Sequence, residues 1–370
     1  MKKKVLIIAP YWDKTFHNKN IGKLLNELQN EDVSLFYYCE SSTGDSDFKV
    51  NFPNINLLNF MDVVSLKGFG LLKFIFNTLK LILVSKPDLV FWTYAGYKEN
   101  IFFTIFRIPY VLKMDSILKQ EPEYFVERMK FKIFYEIPAK KAFLILSETE
   151  KVKNHIDKIT GKNSFLFPNG VPIKKYKKIE RSFLPSKDKR PYFLFTGRIM
   201  REKGIDLLLA SFRNIMHLFE DWELKIVGPI IEHEYFALQR KYIEINNMRK
   251  NVSFLSFRSG YDLYELYYHA EFYVLPSRHE GLPNRLTEAM YFINPVIAFD
   301  VNQVGALITD KTGELIKPFD VQSFSENLKK YMLDKNLRKT KGVNARGKVI
   351  SEYDDEKLWP QVLKRVLHFG

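Results

Sequence analysis

The chain has 370 residues, 46% of them hydrophobic, with a single cysteine and a formal net charge of +14. That length passes the size at which one core stops growing, so two domains are expected, while the lone Cys39 excludes an internal disulfide and a cysteine zinc cage. The positive charge is concentrated rather than spread over a nucleic-acid module: residues 171–190 hold eight Lys/Arg against two Asp/Glu, whereas 191–370 are nearly balanced, so no nucleic-acid partner is expected.

In chain order, Met1-Lys2-Lys3-Lys4 leads into Val5–Pro10. This apolar run is too short for a secretion signal and reads as a buried first strand, so a cytoplasmic chain is expected. Further strands are predicted at Val33–Tyr38, Leu89–Thr93, Tyr110–Lys113, Phe143–Leu146 and Ser164–Phe167, with helices near 20–29, 69–85, 98–106, 122–137 and 148–159. The apolar stretch from Gly68 to Val84 is broken by Lys73, Asn77 and Lys80 on one helical face, which makes it amphipathic and not a membrane span. Alternation of this kind implies βαβ units on a parallel sheet.

Pro168-Asn169-Gly170-Val171-Pro172 is rich in turn residues, and 168–190 reads as a linker. Strands resume at Tyr192–Thr196, Leu224–Val227, Val252–Leu255, Phe272–Leu275 and Val296–Phe299. Helices are predicted between them near 204–219, 233–248, 261–269 and 283–293, and at the end over Asp355 to Phe369. Two α/β lobes joined by one linker place the expected ligand site in a cleft, at the C-terminal ends of strands.

Two segments carry chemistry. In Leu275 to Met290 a buried strand ends, a loop presents Glu280, and Pro283 suits a first helical position. Leu286, Ala289, Met290 and Ile293 recur at i, i+3, i+4 and i+7, which puts Glu288 and Asn284 on the opposite side. The N–H groups of Gly281 and Leu282 near the helix start suit phosphate or sugar oxygens. In Phe195 to Asp206, Gly197 permits a sharp turn, and Arg198 and Lys203 supply positive charge where a diphosphate would leave. Taken alone, the first segment reads as a solvated helix and the second as a solvated basic turn. His279-Glu280 opens like a zinc-protease motif, but the second His is missing, so no metal is expected.

Taken together, Gly197-Arg198-x4-Lys203-Gly204, Val227-Gly228, Val252-Ser253-Phe254-Leu255, Pro276-Ser277-x2-Glu280-Gly281 and Glu288-Ala289-Met290 resemble glycosyltransferase family 4 in order and spacing. Phe167 to Val171 resembles that family's interdomain segment. The resemblance implies a GT-B fold, that is, two Rossmann-like doubly wound parallel-sheet domains with an interdomain cleft. It divides the chain into an acceptor-side domain (1–167), a linker (168–190), a nucleotide-sugar domain (191–354) and a helix (355–370) returning to the first domain. It also implies a retaining, metal-independent transferase that needs no cofactor besides its nucleotide sugar, with UDP favoured over GDP by family frequency. Arg198 and Lys203 would bind the diphosphate, Glu280 the donor sugar beside the Gly281 and Leu282 amides, and Glu288 the ribose. The base would lie near Ser256 and Phe257, although Ser256 stands where the family commonly has Gly.

The first lobe departs from the family pattern. Its glycine pair is replaced by His17 to Gly22, where Asn20 and Gly22 open a helix and could admit phosphate or acceptor. The family's His is replaced by Met114-Asp115-Ser116; Asp115 either takes over a sugar contact or caps the next helix. Residues 67–113 hold seven Lys/Arg against Asp88 and Glu99, together with aromatics that include Phe69, Phe74, Phe76, Trp92, Tyr97, Phe102, Phe103 and Phe106. This composition suits an anionic bilayer near a lipid-linked or glycan acceptor, unless the rings pack on the sheet. The expected role is surface polysaccharide or glycolipid assembly. The alternatives are a non-catalytic GT-B subunit that activates a partner, and a sugar-nucleotide epimerase.

Overall fold

Strands covered on both faces of a parallel sheet read as unbroken apolar runs, and Tyr192–Thr196 is one, with all five residues buried. In the computed structural model of the protein the described residues are 2–12, 24–25, 28, 31–42, 54–58, 70–92, 100–114, 125–184 and 190–367. They form two compact units, one from Met1–Pro168 with Lys357–Gly370, the other from Asn169–Glu356.

The first unit contains β1 (Lys3–Trp12), β2 (Val33–Ser42), β3 (Asn56–Leu58), α1 (Gly70–Ser85), β4 (Leu89–Trp92), α2 (Asn100–Ile105) and β5 (Tyr110–Met114). After these come α3 (Phe125–Phe131), a π-helical turn (Lys132–Glu136), α4 (Ile137–Lys141), β6 (Leu144–Ser147), α5 (Glu150–Thr160) and β7 (Phe165–Leu166). Its sheet runs β3-β2-β1-β4-β5-β6-β7, with parallel neighbours. Because side chains alternate along a strand, β1 serves two cores. Val5 and Ile7 pack with Leu24, Leu25 and Leu28 on one face. Leu6 and Ile8 pack with Leu81 of α1, Phe103 of α2 and Ile156 of α5 on the other.

The second unit contains α6 (Ile173–Glu180), β8 (Tyr192–Thr196), α7 (Ile205–Arg213), β9 (Glu223–Val227), α8 (His233–Ile245), β10 (Val252–Leu255), α9 (Tyr261–His269), β11 (Phe272–Leu275) and α10 (Asn284–Tyr291). It continues with β12 (Val296–Phe299), β13 (Gly313–Ile316), α11 (Val321–Leu333) and α12 (Lys335–Glu352). The sheet order is β10-β9-β8-β11-β12-β13, again parallel. The winding direction reverses between β8 and β11, the place in such sheets where ligands meet strand ends. The last helix, α13 (Asp355–Leu367), sends Trp359, Val362, Leu363 and Val366 into the first unit's core. The Trp359 ring meets Phe167 edge-on at 4.8 Å.

One expectation is corrected here. The stretch read as a linker, 168–190, contains α6, and this helix belongs to the second unit. Ile173 and Tyr176 are buried and Ile179 packs against the same core. The Tyr176 ring lies 4.8 Å from Tyr264 and 5.0 Å from Tyr291, and Arg346 grips Glu180 through two hydrogen bonds of 2.7 Å. The lysines around this stripe are its solvent face. Among the described residues no helix is long and apolar enough to cross a membrane.

Candidate functional site

Two loops meet at the sheet reversal because glycines let them. Gly204 ends the short 3-10 turn Arg201–Lys203 in the left-handed region, at φ 69°. A Cβ there would stand 1.9 Å from the Pro276 carbonyl oxygen at the end of β11. Beside it Gly228 passes so close to Gly197 that a Cβ would stand 1.8 Å from the Gly197 oxygen. The ends of β8, β9 and β11 therefore touch with no side chain between them.

This contact places Lys203 against Glu280. The Lys203 ammonium donates to Glu280 Oε1 at 2.7 Å, and the Ser277 hydroxyl donates to the same oxygen at 2.6 Å. Both partners are nearly buried, with side chains 12% and 11% exposed. Asn302, in the left-handed region at φ 50°, donates its amide to the Glu280 carbonyl at 2.9 Å. The loop is thus held at its carboxylate and at its backbone, and Oε2 accepts no hydrogen bond among the described residues. The Arg198 side chain makes no hydrogen bond among the described residues; it is 55% exposed and 4.0 Å from Glu202, which is itself 3.4 Å from Lys203.

A brace that the sequence did not announce keeps the two loops in register. Arg278 donates to both carboxylate oxygens of Asp206, at 2.8 and 2.7 Å, and to the Arg201 carbonyl at 2.8 Å. The Tyr235 hydroxyl also donates to Asp206, at 2.7 Å. Burial pushes the Asp206 carboxyl up, but the hydrogen bonds from Arg278 and Tyr235 outweigh it and hold it below the usual carboxylate range.

Glu288 lies on α10 behind Arg285, which donates to its Oε2 at 2.9 Å. The Tyr267 hydroxyl points to the same oxygen at 3.5 Å and bonds Thr196 at 2.7 Å. Tyr267 is fully buried, and burial first and then the Glu288 charge raise its phenol well above the ordinary value. Burial works against the charge on Arg285, but Glu288 more than offsets it and the guanidinium stays ionised. Leu286, Ala289 and Met290 form the helix's buried side as their spacing predicts. Pro283 and Ile293 fall just outside the helix: Pro283 stands one residue before it, and Ile293 leaves its end at φ 63°.

These groups surround a pocket of about 330 Å³ lined by Gly197, Arg198, Lys203, Phe257 and Glu280 from the predicted set. Sequence reasoning missed Arg258 and Arg285, which line it too. Glu288 is linked to the pocket through Arg285, while Ser256 and Gly281 are exposed nearby and Leu282 turns into the core. Asp115, Asn20 and Gly22 lie outside the described residues. Among those described, no cluster of three or more His, Cys, Asp or Glu could hold a metal ion. Chemically, the pocket offers four cations to an anion and a fixed carboxylate, with one oxygen that accepts no hydrogen bond among the described residues, to hydroxyl groups.

The family model described as glycosyl transferases group 1 matches residues 176–348. The capsular polysaccharide biosynthesis glycosyltransferase CapM of Staphylococcus aureus is 24% identical over 199 residues, 52% of this chain and 51% of that protein. The chain thus spans about half the length of that relative. A glycosyltransferase from Rickettsia africae superposes with a TM-score of 0.82 at 17% identity, covering 100% of both chains. Alr3699/HepE of Anabaena, solved in complex with UDP, superposes with a TM-score of 0.77 at 16% identity over 99% of this chain and 100% of that one. Residues 176–348 are thus similar to the glycosyl transferases group 1 family, on a fold that the chain shares with GT-B glycosyltransferases.

Proposed function

We propose that the chain is a retaining glycosyltransferase of bacterial surface polysaccharide or glycolipid assembly. It takes its sugar from a nucleotide diphosphate sugar, UDP in preference to GDP, and passes it to a glycan or lipid-linked acceptor. The observation that carries this reading is the nearly buried Lys203–Glu280 pair beside Arg198 in one pocket at the sheet reversal. As the bond from sugar to diphosphate breaks, negative charge grows on the departing phosphate, and Lys203 and Arg198 stabilise it. Glu280 takes sugar hydroxyls on its free oxygen, and Glu288 takes the ribose diol. Independence from a metal belongs to the same reading, since the fixed cations bring charge that a metal would otherwise supply, and retention is carried over from the resemblance to glycosyltransferase family 4. The name of CapM, from capsular polysaccharide, and the UDP bound by Alr3699/HepE support it.

The test is turnover. The purified chain, given UDP-sugars or GDP-sugars with saccharide acceptors, is expected to release UDP and to form a product whose anomeric configuration, read by proton NMR, matches the donor. Inverted product, or neither turnover nor nucleotide binding, would overturn the reading. A non-catalytic subunit would hydrolyse no donor, and an epimerase would convert the sugar without any acceptor.

The first unit is also proposed to rest on an anionic bilayer. Phe76, Lys80, Leu83 and Val84 fall at i, i+4, i+7 and i+8 of α1, one stripe, and the three apolar ones are 56%, 69% and 52% exposed. Ile105 and Phe106, at the end of α2, are exposed beside Arg107, while Phe103 of the same helix is buried. Flotation with anionic vesicles at low salt is expected to carry the protein upward; failure to float would remove this part of the proposal.

A further inference from the structure

Arg285 sits in the wall of the pocket with its side chain 38% exposed, yet it occupies a poor place for a cation. It is in the first turn of α10, where the helix dipole repels positive charge, and no acidic residue stands in that turn to offset it. Among the described residues its one ion-pair partner is Glu288, three residues toward the C-terminus, the less favourable order for a helical pair. A local rule broken twice at the edge of a site, without a gain in helix stability, points to a functional role. The guanidinium also has capacity to spare. Of its five N–H groups, one hydrogen bond, Nη1 to Glu288 Oε2, is made among the described residues.

The charges lining the pocket agree with this. Arg198, Lys203, Arg258 and Arg285 line it against Glu280, with Glu288 behind. Lys203 is already committed to Glu280 at 2.7 Å. A nucleotide diphosphate ester carries two negative charges, which match the excess of cations over the two carboxylates. Its ribose and diphosphate are also covalent neighbours, as Glu288 and Arg285 are neighbours on one helix.

We infer that Arg285 is a third cationic ligand for the donor's diphosphate, keeping one arm of its fork on Glu288 while the other takes a phosphate oxygen. The inference rests on the reading of the pocket as a donor site. It makes Arg285 a joint between two parts of the ligand, so that the carboxylate holding the ribose and the cation holding the phosphate are set together.

A nucleotide ladder tests it. Binding of uridine, UMP and UDP, with the guanosine series in parallel, is measured by calorimetry on the wild-type chain, Arg285→Gln and Arg285→Lys. Folding of each variant is checked by its unliganded melting curve. Arg285→Gln is expected to weaken UDP or GDP by about tenfold to a hundredfold, as for loss of a charge-assisted hydrogen bond, with Arg285→Lys between it and wild type. The bare nucleoside is expected to bind all three proteins alike. Equal losses for nucleoside and diphosphate would show that Arg285 acts only through Glu288, and unchanged diphosphate binding would remove it from the site; either result overturns the inference while leaving the donor reading intact. Failure of every nucleotide to bind the wild-type chain would overturn the donor reading and this inference with it.

Discussion

Lys203 and Glu280 are 77 positions apart in the chain and meet at 2.7 Å, and their meeting depends on Gly204, the uncharged residue between Lys203 and α7. Gly204→Ala combines a left-handed conformation with a Cβ 1.9 Å from a backbone oxygen that cannot move away. It is expected to cost at least about 2 kcal/mol and to lower activity beyond its effect on stability. Urea unfolding and turnover measured on one preparation check both parts; a variant as stable and as active as wild type would contradict them.

Lys203→Ala and Glu288→Ala are each expected to lower turnover by about a hundredfold to a thousandfold, the scale of removing one preorganised charge partner from a transition state. Steady-state kinetics with the best donor checks this. Near wild-type rates in both would show that the chemistry happens elsewhere.

The Arg278–Asp206 brace has a pH signature. The Asp206 carboxyl ionises below its ordinary value of 3.8 when folded. The stability it contributes is therefore fully present above that value and lost as the pH falls through the lower, folded one. With the partners 26% and 34% exposed, Asp206→Asn is expected to lose only about 1–2 kcal/mol at pH 7, and the gap to wild type should close toward pH 2. Urea midpoints at pH 7, 5 and 3 check it; a gap constant over that range would contradict the assignment.

Gly342 and Ile293 give a prediction of unusual sign. Alanine normally stabilises a helix interior by about 1 kcal/mol over glycine. Here a Cβ on Gly342 of α12 would stand 2.1 Å from the Ile293 carbonyl oxygen, so Gly342→Ala is expected to destabilise by about 2 kcal/mol or more. Ile293 itself, a β-branched residue at φ 63°, is strained where it leaves α10. Ile293→Asn is expected to raise stability by up to about 1 kcal/mol, because Asn tolerates that conformation. Thermal melting of both variants reads the two signs.

Much of the fold was legible in the sequence, for a physical reason. Phe272–Leu275 and Val296–Phe299 are covered on both faces, so nothing interrupts their apolar runs. β13 was missed because Glu314 sits within it, held by Lys330 and Lys341. α12 was missed because its anchor is a charged residue: Arg338 is buried against Glu271 and over the Trp222 ring at 5.2 Å. In the site, Arg198, Lys203 and Glu280 could be read because a loop after a strand announces them. The brace could not, since Arg278 and Asp206 are 72 positions apart and only the folded chain joins them. Arg285 was passed over because its local surroundings give a cation no reason to be there.

In the proposed site Arg198, Lys203, Glu280 and Glu288 hold one molecule. A crystal structure of the chain with UDP or an intact UDP-sugar, or the GDP counterpart, tests it most directly. Phosphate oxygens within hydrogen-bonding distance of Arg198 and Lys203, with ribose hydroxyls on Glu288 and the sugar against Glu280, are the predicted result. A nucleotide bound away from these four side chains would contradict it.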